Sequence, residues 1–370
     1  MASAPTIDVE ALLAPISDDN PVGEKVRDDS SPTSAYLQLK DARAAARAAE
    51  RRAEAAGEPA GWLAEWGTIF EVAPAVLAEQ SKDIEISAWL VEALIRREGF
   101  AGLRDGFKVV RGLIEQYWDV LYSMEDEEGV VTKVAPLAGL NGQGGDGTLI
   151  QPLRMVPLTV AVGEDGPFSA YQYEQAVNLA QVSDPEARTR QAEGGAVTLE
   201  RFTTAVNATG AAFYIDMIDD LEAAVAEFEG LAAALYEKAG RDAPPTSNIR
   251  DLLRKILDAV TAFSKDLIAR EQPAMEAVSS EGGAAAGGAG SPIMVAQGAI
   301  GGREDALRTL SQVADYFRKA EPHSPIAQSL DDLVRRARLP FADLLLELLG
   351  DDTQWRTALS NAGIRPPAQE

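Results

Sequence analysis

From Phe100 to Leu121, large apolar residues recur at alternating steps of three and four: Phe100, Leu103, Phe107, Val110, Ile114, Tyr117 and Leu121. This spacing places all seven on one face of a helix and predicts a segment buried along its length. Immediately upstream, Ile84, Ala88, Val91 and Leu94 form a second such face, widened by Ile86, Trp89 and Leu90. Helices this apolar are expected inside a bundle. Further along, Phe213, Met217, Leu221 and Val225 mark one helical face, and Leu252, Leu253, Ile256, Val260 and Phe263 another. The turn between them contains Gly240 and the pair Pro244-Pro245.

Other stretches carry weaker patterns. Residues 1–34 are rich in Pro and Asp and read as an extended lead-in. Residues 35–56 are rich in Ala, Arg and Glu, which favours helix. Their apolar face is mostly Ala, so an exposed and mobile helix is expected. Residues 136–167 are rich in Gly and Pro. Within them, Leu149 to Leu158 reads as either strand-like or a short helix, with Pro152 and Pro157 opposing regular structure.

Residues 279–291 have the composition of a flexible linker. Residues 282–302 carry no charge, but Gly and Ala are too weakly apolar to make a membrane span. Past the linker come three apolar stripes. Leu307, Leu310, Val313, Ala314 and Phe317 form the first; Leu330, Leu333, Val334 and Ala337 the second; Phe341, Leu344, Leu345, Leu348 and Leu349 the third. A tail of about 75 residues is marginal alone, so it is expected to pack against copies of itself. Its candidate core or interface positions are Leu307, Leu310, Phe317, Leu333, Phe341 and Leu345.

Charge and composition narrow the function. The chain has 34 Lys and Arg against 58 Asp and Glu, a net charge of −24. Such a surface repels nucleic acid and anionic lipid, so neither is an expected partner. With no Cys and one His, thiolate chemistry and His–His metal sites are excluded. Met1 to Asp8 shows no signal-peptide pattern, which predicts a soluble cytoplasmic protein.

Four features invite a chemical reading, and each has a plainer one. Gly142 to Gly147 matches G-x-G-x-x-G, but no strand–turn–helix context surrounds it, so a loop is expected. Asp216, Asp219, Asp220 and Glu222 share a predicted helix and could hold magnesium; a solvated helix face is the simpler reading. His323 lies between Pro322 and Pro325, where a structural turn suffices. Glu125 to Glu128 lacks the spacing of a calcium loop. No enzyme, cofactor or metal is expected.

A set of short motifs resembles the TssA family of type VI secretion, also called ImpA. Leu12 to Glu24 resembles the opening of that family's N-terminal domain. The strongest block runs from Lys82-Asp83 through Trp89, Gly99-Phe100 and Gly102-Leu103 to Tyr117-Trp118. Pro152-Leu153-Arg154, Ala243-Pro244-Pro245, Arg303 with Asp305, and Glu321-Pro322 with Ser324-Pro325 also fit. Gly302, Ser123 and His323 depart from residues common in the family. The resemblance implies a non-enzymatic, baseplate-associated scaffold that coordinates tube and sheath assembly. Its implied partners are copies of itself, in a ring formed by the C-terminal segment, and baseplate, tube and sheath proteins. The expected fold is mainly α. Residues 1–60 are lead-in and Ala/Arg-rich helix, and 61–168 an ImpA-type helical domain. A helical middle region (169–275), a linker (276–300) and an oligomerisation domain (301–370) follow.

Overall fold

The computed structural model describes residues 2–31, 33–56, 64–124, 129–163 and 165–281, then 307, 310, 311, 313, 314, 317–319 and 326–338. The chain divides into two compact units, Met1–Gly283 and Ala284–Glu370. The described helices of the first unit are α1 (Val9–Leu13), α2 (Ala35–Ala56), α3 (Gly67–Glu79), α4 (Ile84–Tyr117), α5 (Val130–Asn141), α6 (Ile150–Met155), α7 (Ala170–Ala180), α8 (Pro185–Glu193), α9 (Leu199–Thr209), α10 (Ala211–Ala239) and α11 (Ser247–Glu281). Helix α12 (Ile326–Arg338) belongs to the second. Among the described residues the fold is all helical, with only isolated bridges such as Gly23 to Ser81. No described helix is long and apolar enough to cross a membrane.

Helix α4 is the spine of the first unit. Asp83 caps its start by accepting from the backbone N–H groups of Glu85 and Ile86, satisfying donors that have no partner within the helix. All the large residues of the predicted stripe are buried except Tyr117, which is half-buried. Gly99 breaks the helix into two runs, at φ 60° and ψ −138°. Only glycine tolerates that conformation without strain. The two runs then pass so closely that a Cβ on Gly102 would lie 2.6 Å from the Leu94 carbonyl oxygen.

Helix α10 packs along the second run of α4. Arg104 meets Asp220 and Arg111 meets Glu227, seven residues further along each helix, so the two run in the same direction. In the same interface the rings of Phe107 and Phe228 lie 4.8 Å apart. Helix α11 returns over α10, burying Leu252, Leu253, Ile256 and Val260. Phe202 of α9 meets Phe263 of α11 edge to face at 5.2 Å, an arrangement that favours the ring quadrupoles.

Several local expectations change. Helix α2 is an integral part of the core rather than a mobile arm: Leu39, Ala46 and Ala49 are buried, and Tyr36 stacks on Trp89 at 5.6 Å. Its small Ala side chains let it lie close against α3 and α4, so the low apolar volume reflects close packing. The lead-in holds a short helix, α1, which contributes Val9 and Leu12 to the core. Of the two readings left open for Leu149 to Leu158, the short helix is the one formed, at Ile150–Met155. On α10 the buried face runs through Tyr214, Leu221, Ala224, Phe228, Leu231 and Leu235, leaving Phe213 exposed.

In the second unit, α12 buries Ala327 and Val334 and leaves Leu333 52% exposed. Leu307 and Ala314 are also buried, while Leu310 and Phe317 are half-buried. Arg318 pairs with Asp331. Phe341 and Leu345 lie outside the described residues.

Gly99→Ala should strain the break in α4 and lower stability by roughly 1–3 kcal/mol. A shift in urea midpoint at constant m-value would register it, and an unchanged midpoint would show that the break tolerates a side chain.

Candidate functional site

The polar groups that stand out in the first unit lie along α4, and they are buried. At its start, Lys82 is 0% exposed. Its Nζ donates to the carbonyl oxygens of Leu12 and Leu77, both at 2.7 Å. These oxygens lie in the last turns of α1 and α3, where helix carbonyls lack internal partners and favour a cation. Burial pushes the Lys82 ammonium down to about 8. Beside it, Arg27 grips Asp83 through Nε and Nη2 at 2.9–3.1 Å. Burial pushes the Asp83 carboxyl up from its ordinary value, and Arg27 and the two cap N–H groups oppose that shift. Arg27 also binds Glu85, which accepts a further hydrogen bond from the Tyr36 hydroxyl at 3.0 Å.

Two turns into α4, Glu92 is fully buried and held by two arginines of α2, Arg43 and Arg47. Beyond the break, Arg104 donates to Asp105 at 2.7 and 3.1 Å, to Asp220 at 2.8 Å, and to the carbonyls of Ser3 and Ala4. These contacts occupy every guanidinium N–H. Asp105 and Asp220 in turn accept from Thr6 and Ser3. One buried cluster thereby pins residues 3–6 to both long helices.

The cluster bears on one of the candidate sites. Asp220 is a buried partner of Arg104 and not part of a solvated carboxylate face, so its oxygens are already engaged. Asp216 and Asp219 share its helix, but no metal-binding group forms among the described residues. The glycine loop at Gly142 to Gly147 joins α5 to α6 and holds the start of α11. Asn141 Oδ1 accepts from the Ile249 N–H at 3.0 Å, and Asn248 Nδ2 donates to the Asn141 and Gly145 carbonyls. Two positive-φ glycines, Gly142 and Gly144, make the loop tight enough for this. His323 lies outside the described residues.

Beside α2, a cleft of about 150 Å³ opens between α4 and α5. Ala88, Trp89, Met124, Ala135, Pro136 and Leu140 give its apolar walls, and Arg43, Glu85 and Glu92 its polar side.

The motif residues fall into place around these features. Lys82 and Asp83 open α4, Trp89 stacks on Tyr36, and Gly99 and Gly102 form the break. Phe100 and Leu103 fill the core. The Tyr117 hydroxyl donates to the Leu13 carbonyl at 2.7 Å, and Lys133 sits 5.0 Å above the Trp118 ring. Ser123 donates to the Lys133 carbonyl at 2.6 Å, a bond that a proline there could not make. Arg303, Asp305, Glu321, Pro322, Ser324 and Pro325 lie outside the described residues.

Residues 13–142 match the profile of the family described as "ImpA, N-terminal, type VI secretion system". Over 351 residues the chain is 28% identical to a Pseudomonas aeruginosa protein named "Type VI secretion system component TssA1", covering 93% of this chain and 96% of that one. The chain is similar to TssA proteins of type VI secretion, in residues 13–142 by the family profile and along most of its length by this relative. A similar fold is seen in a solved structure, the "N-terminal domain including the conserved ImpA_N region of the TssA component of the type VI secretion system from Burkholderia cenocepacia". That match has a TM-score of 0.58 at 24% identity and covers 72% of this chain and 98% of the other.

Two expectations follow from the buried charges. Below pH 8 Lys82 is protonated in both the folded and unfolded states, and burying its charge costs stability. Between about 8 and the ordinary 10.5, the unfolded chain binds more protons, so the Lys82 contribution rises with pH. The difference in unfolding free energy between wild type and Lys82→Met should therefore grow by roughly 2–3 kcal/mol from pH 7 to pH 10. Parallel urea titrations would read this directly; a pH-independent difference would mean the two carbonyls fully offset the burial. Separately, Asp220→Ala strips Arg104 of a buried counter-charge and should lower stability by roughly 3 kcal/mol. It should also speed amide exchange at Ser3 and Thr6; unchanged exchange there would show that the cluster does not hold the N-terminus.

Proposed function

We propose that this chain is a non-enzymatic assembly protein of the type VI secretion system. It sits at the baseplate, coordinates growth of the inner tube and the sheath, and self-associates through its second unit into a ring. The relative from Pseudomonas aeruginosa carries the name of a secretion-system component, and its similarity runs across both units of this chain. The observation that carries the scaffold reading is the division into two compact units at Gly283, within a Gly- and Ala-rich stretch. Linked units on a ring become a multivalent array, in which weak contacts add through effective concentration.

The second unit supplies the self-association. Leu333 is an exposed large aliphatic residue on α12, next to the inward-facing Val334. Leu307, Leu310, Phe317, Leu333, Phe341 and Leu345 make the core or the inter-subunit face. The first unit supplies the docking arms, and its net acidity keeps crowded arms apart in solution.

Light scattering after size exclusion tests this on the full chain and on a chain ending at Gly283. The full chain should be a large closed oligomer, and the shortened one a monomer or dimer. Leu333→Asp should break the oligomer while circular dichroism retains the helical signal. A monomeric full-length chain would overturn the ring.

A further inference from the structure

In a chain of net charge −24, one surface runs against the trend. Five of its 34 Lys and Arg fall within residues 40–52 of α2: Lys40, Arg43, Arg47, Arg51 and Arg52. Steps of three, four and four put Lys40, Arg43, Arg47 and Arg51 along one stripe of the helix. Arg43 and Arg47 share the single buried carboxylate of Glu92, and Arg96 takes Glu50. Three guanidinium groups thus face two carboxylates. Arg47 feels the deficit: burial lowers it from its ordinary value and neighbouring Arg43 and Arg96 add to the shift, with Glu92 opposing. Lys40, Arg51 and Arg52 are exposed and make no ion pair among the described residues.

The stripe borders the cleft between α4 and α5, because Arg43 belongs to both. The cleft's own acids are occupied, Glu85 by Arg27 and Glu92 by Arg43 and Arg47. Its remaining wall is apolar, and Met124 at its mouth is 41% exposed. A volume of about 150 Å³ leaves room for one side chain against the apolar wall.

We propose that the α2 stripe and the adjoining cleft form a docking site for an acidic protein segment that inserts one apolar side chain beside Trp89. Carboxylates flanking the anchor supply counter-charge to the exposed Arg51 and Arg52 and relieve Arg47 of sharing Glu92 with Arg43, and the anchor fills the cleft. Charge sets the rate and choice of encounter, while the buried anchor sets the lifetime of the complex. The site lies wholly in the first unit and does not depend on the ring.

The test uses the full chain and a fluorescein-labelled twelve-residue Glu/Asp peptide with one central Leu, read by fluorescence anisotropy. The wild type should bind it saturably and more weakly as salt rises. Arg51→Glu/Arg52→Glu changes only exposed residues and should weaken binding roughly tenfold. Met124→Asp in the protein, or Ser for the central Leu in the peptide, should weaken it by a similar factor, roughly tenfold. Melting temperatures within a few degrees of wild type confirm that the variants fold. No saturable binding, or binding indifferent to both protein variants, overturns the proposal. So does equal affinity for a single-stranded oligonucleotide of matched charge, which would mark a general anion surface.

Discussion

The first unit depends on how α4 satisfies the charges it carries inside. A helix buried on most of its surface would ordinarily be apolar all round, because an unpaired interior charge is strongly unfavourable. Helix α4 instead presents Asp83, Glu92, Arg104 and Asp105 to the interior. Each must find a partner from another part of the chain, and the partners set which segments lie against it. Arg27 reaches Asp83 from the N-terminal loop, Arg43 and Arg47 reach Glu92 from α2, and Asp220 reaches Arg104 from α10.

These pairs explain why the lead-in and the Ala-rich helix are ordered. Neither has enough apolar volume to hold itself in place by burial alone. The lead-in is tied by Lys82 to the Leu12 carbonyl, by Tyr117 to the Leu13 carbonyl, and by the Arg104 cluster to residues 3–6. Helix α2 is tied by Glu92 and by Trp66, whose indole donates to Glu50 at 2.9 Å. The same ion pairs leave α2 with more arginine than buried carboxylate can neutralise, so one mechanism both anchors the helix and creates its basic stripe.

Much of this was legible along the chain. The apolar stripe from Phe100 to Leu121 placed the spine, and the face from Ile84 to Leu94 read as a separate helix before it. The face of α11 was read correctly because Leu252, Leu253, Ile256 and Val260 are large and regularly spaced. The face of α10 was misplaced because Ala occupies so many positions there. The spacing pointed Phe213 inward, whereas packing against Phe263 places Tyr214 there instead. Glu92 did carry a signal, as a lone charge within the largely apolar run from Ile86 to Ile95, but one charge in such a run does not identify its partner.

The sequence by itself determined the helical class, the low-complexity stretch between the two units, the exclusion of cysteine chemistry and the family motifs. These rest on composition, period and order, all of which are properties of local chain. Tertiary structure decided which acidic residues are structural, which arginines are left over, and where a cleft opens. Those outcomes depend on segments more than 40 residues apart meeting at a few ångströms, as Arg43 and Glu92 do, or 116 apart, as Arg104 and Asp220 do. A charge looks the same in sequence whether water or a guanidinium neutralises it, and only the fold distinguishes the two.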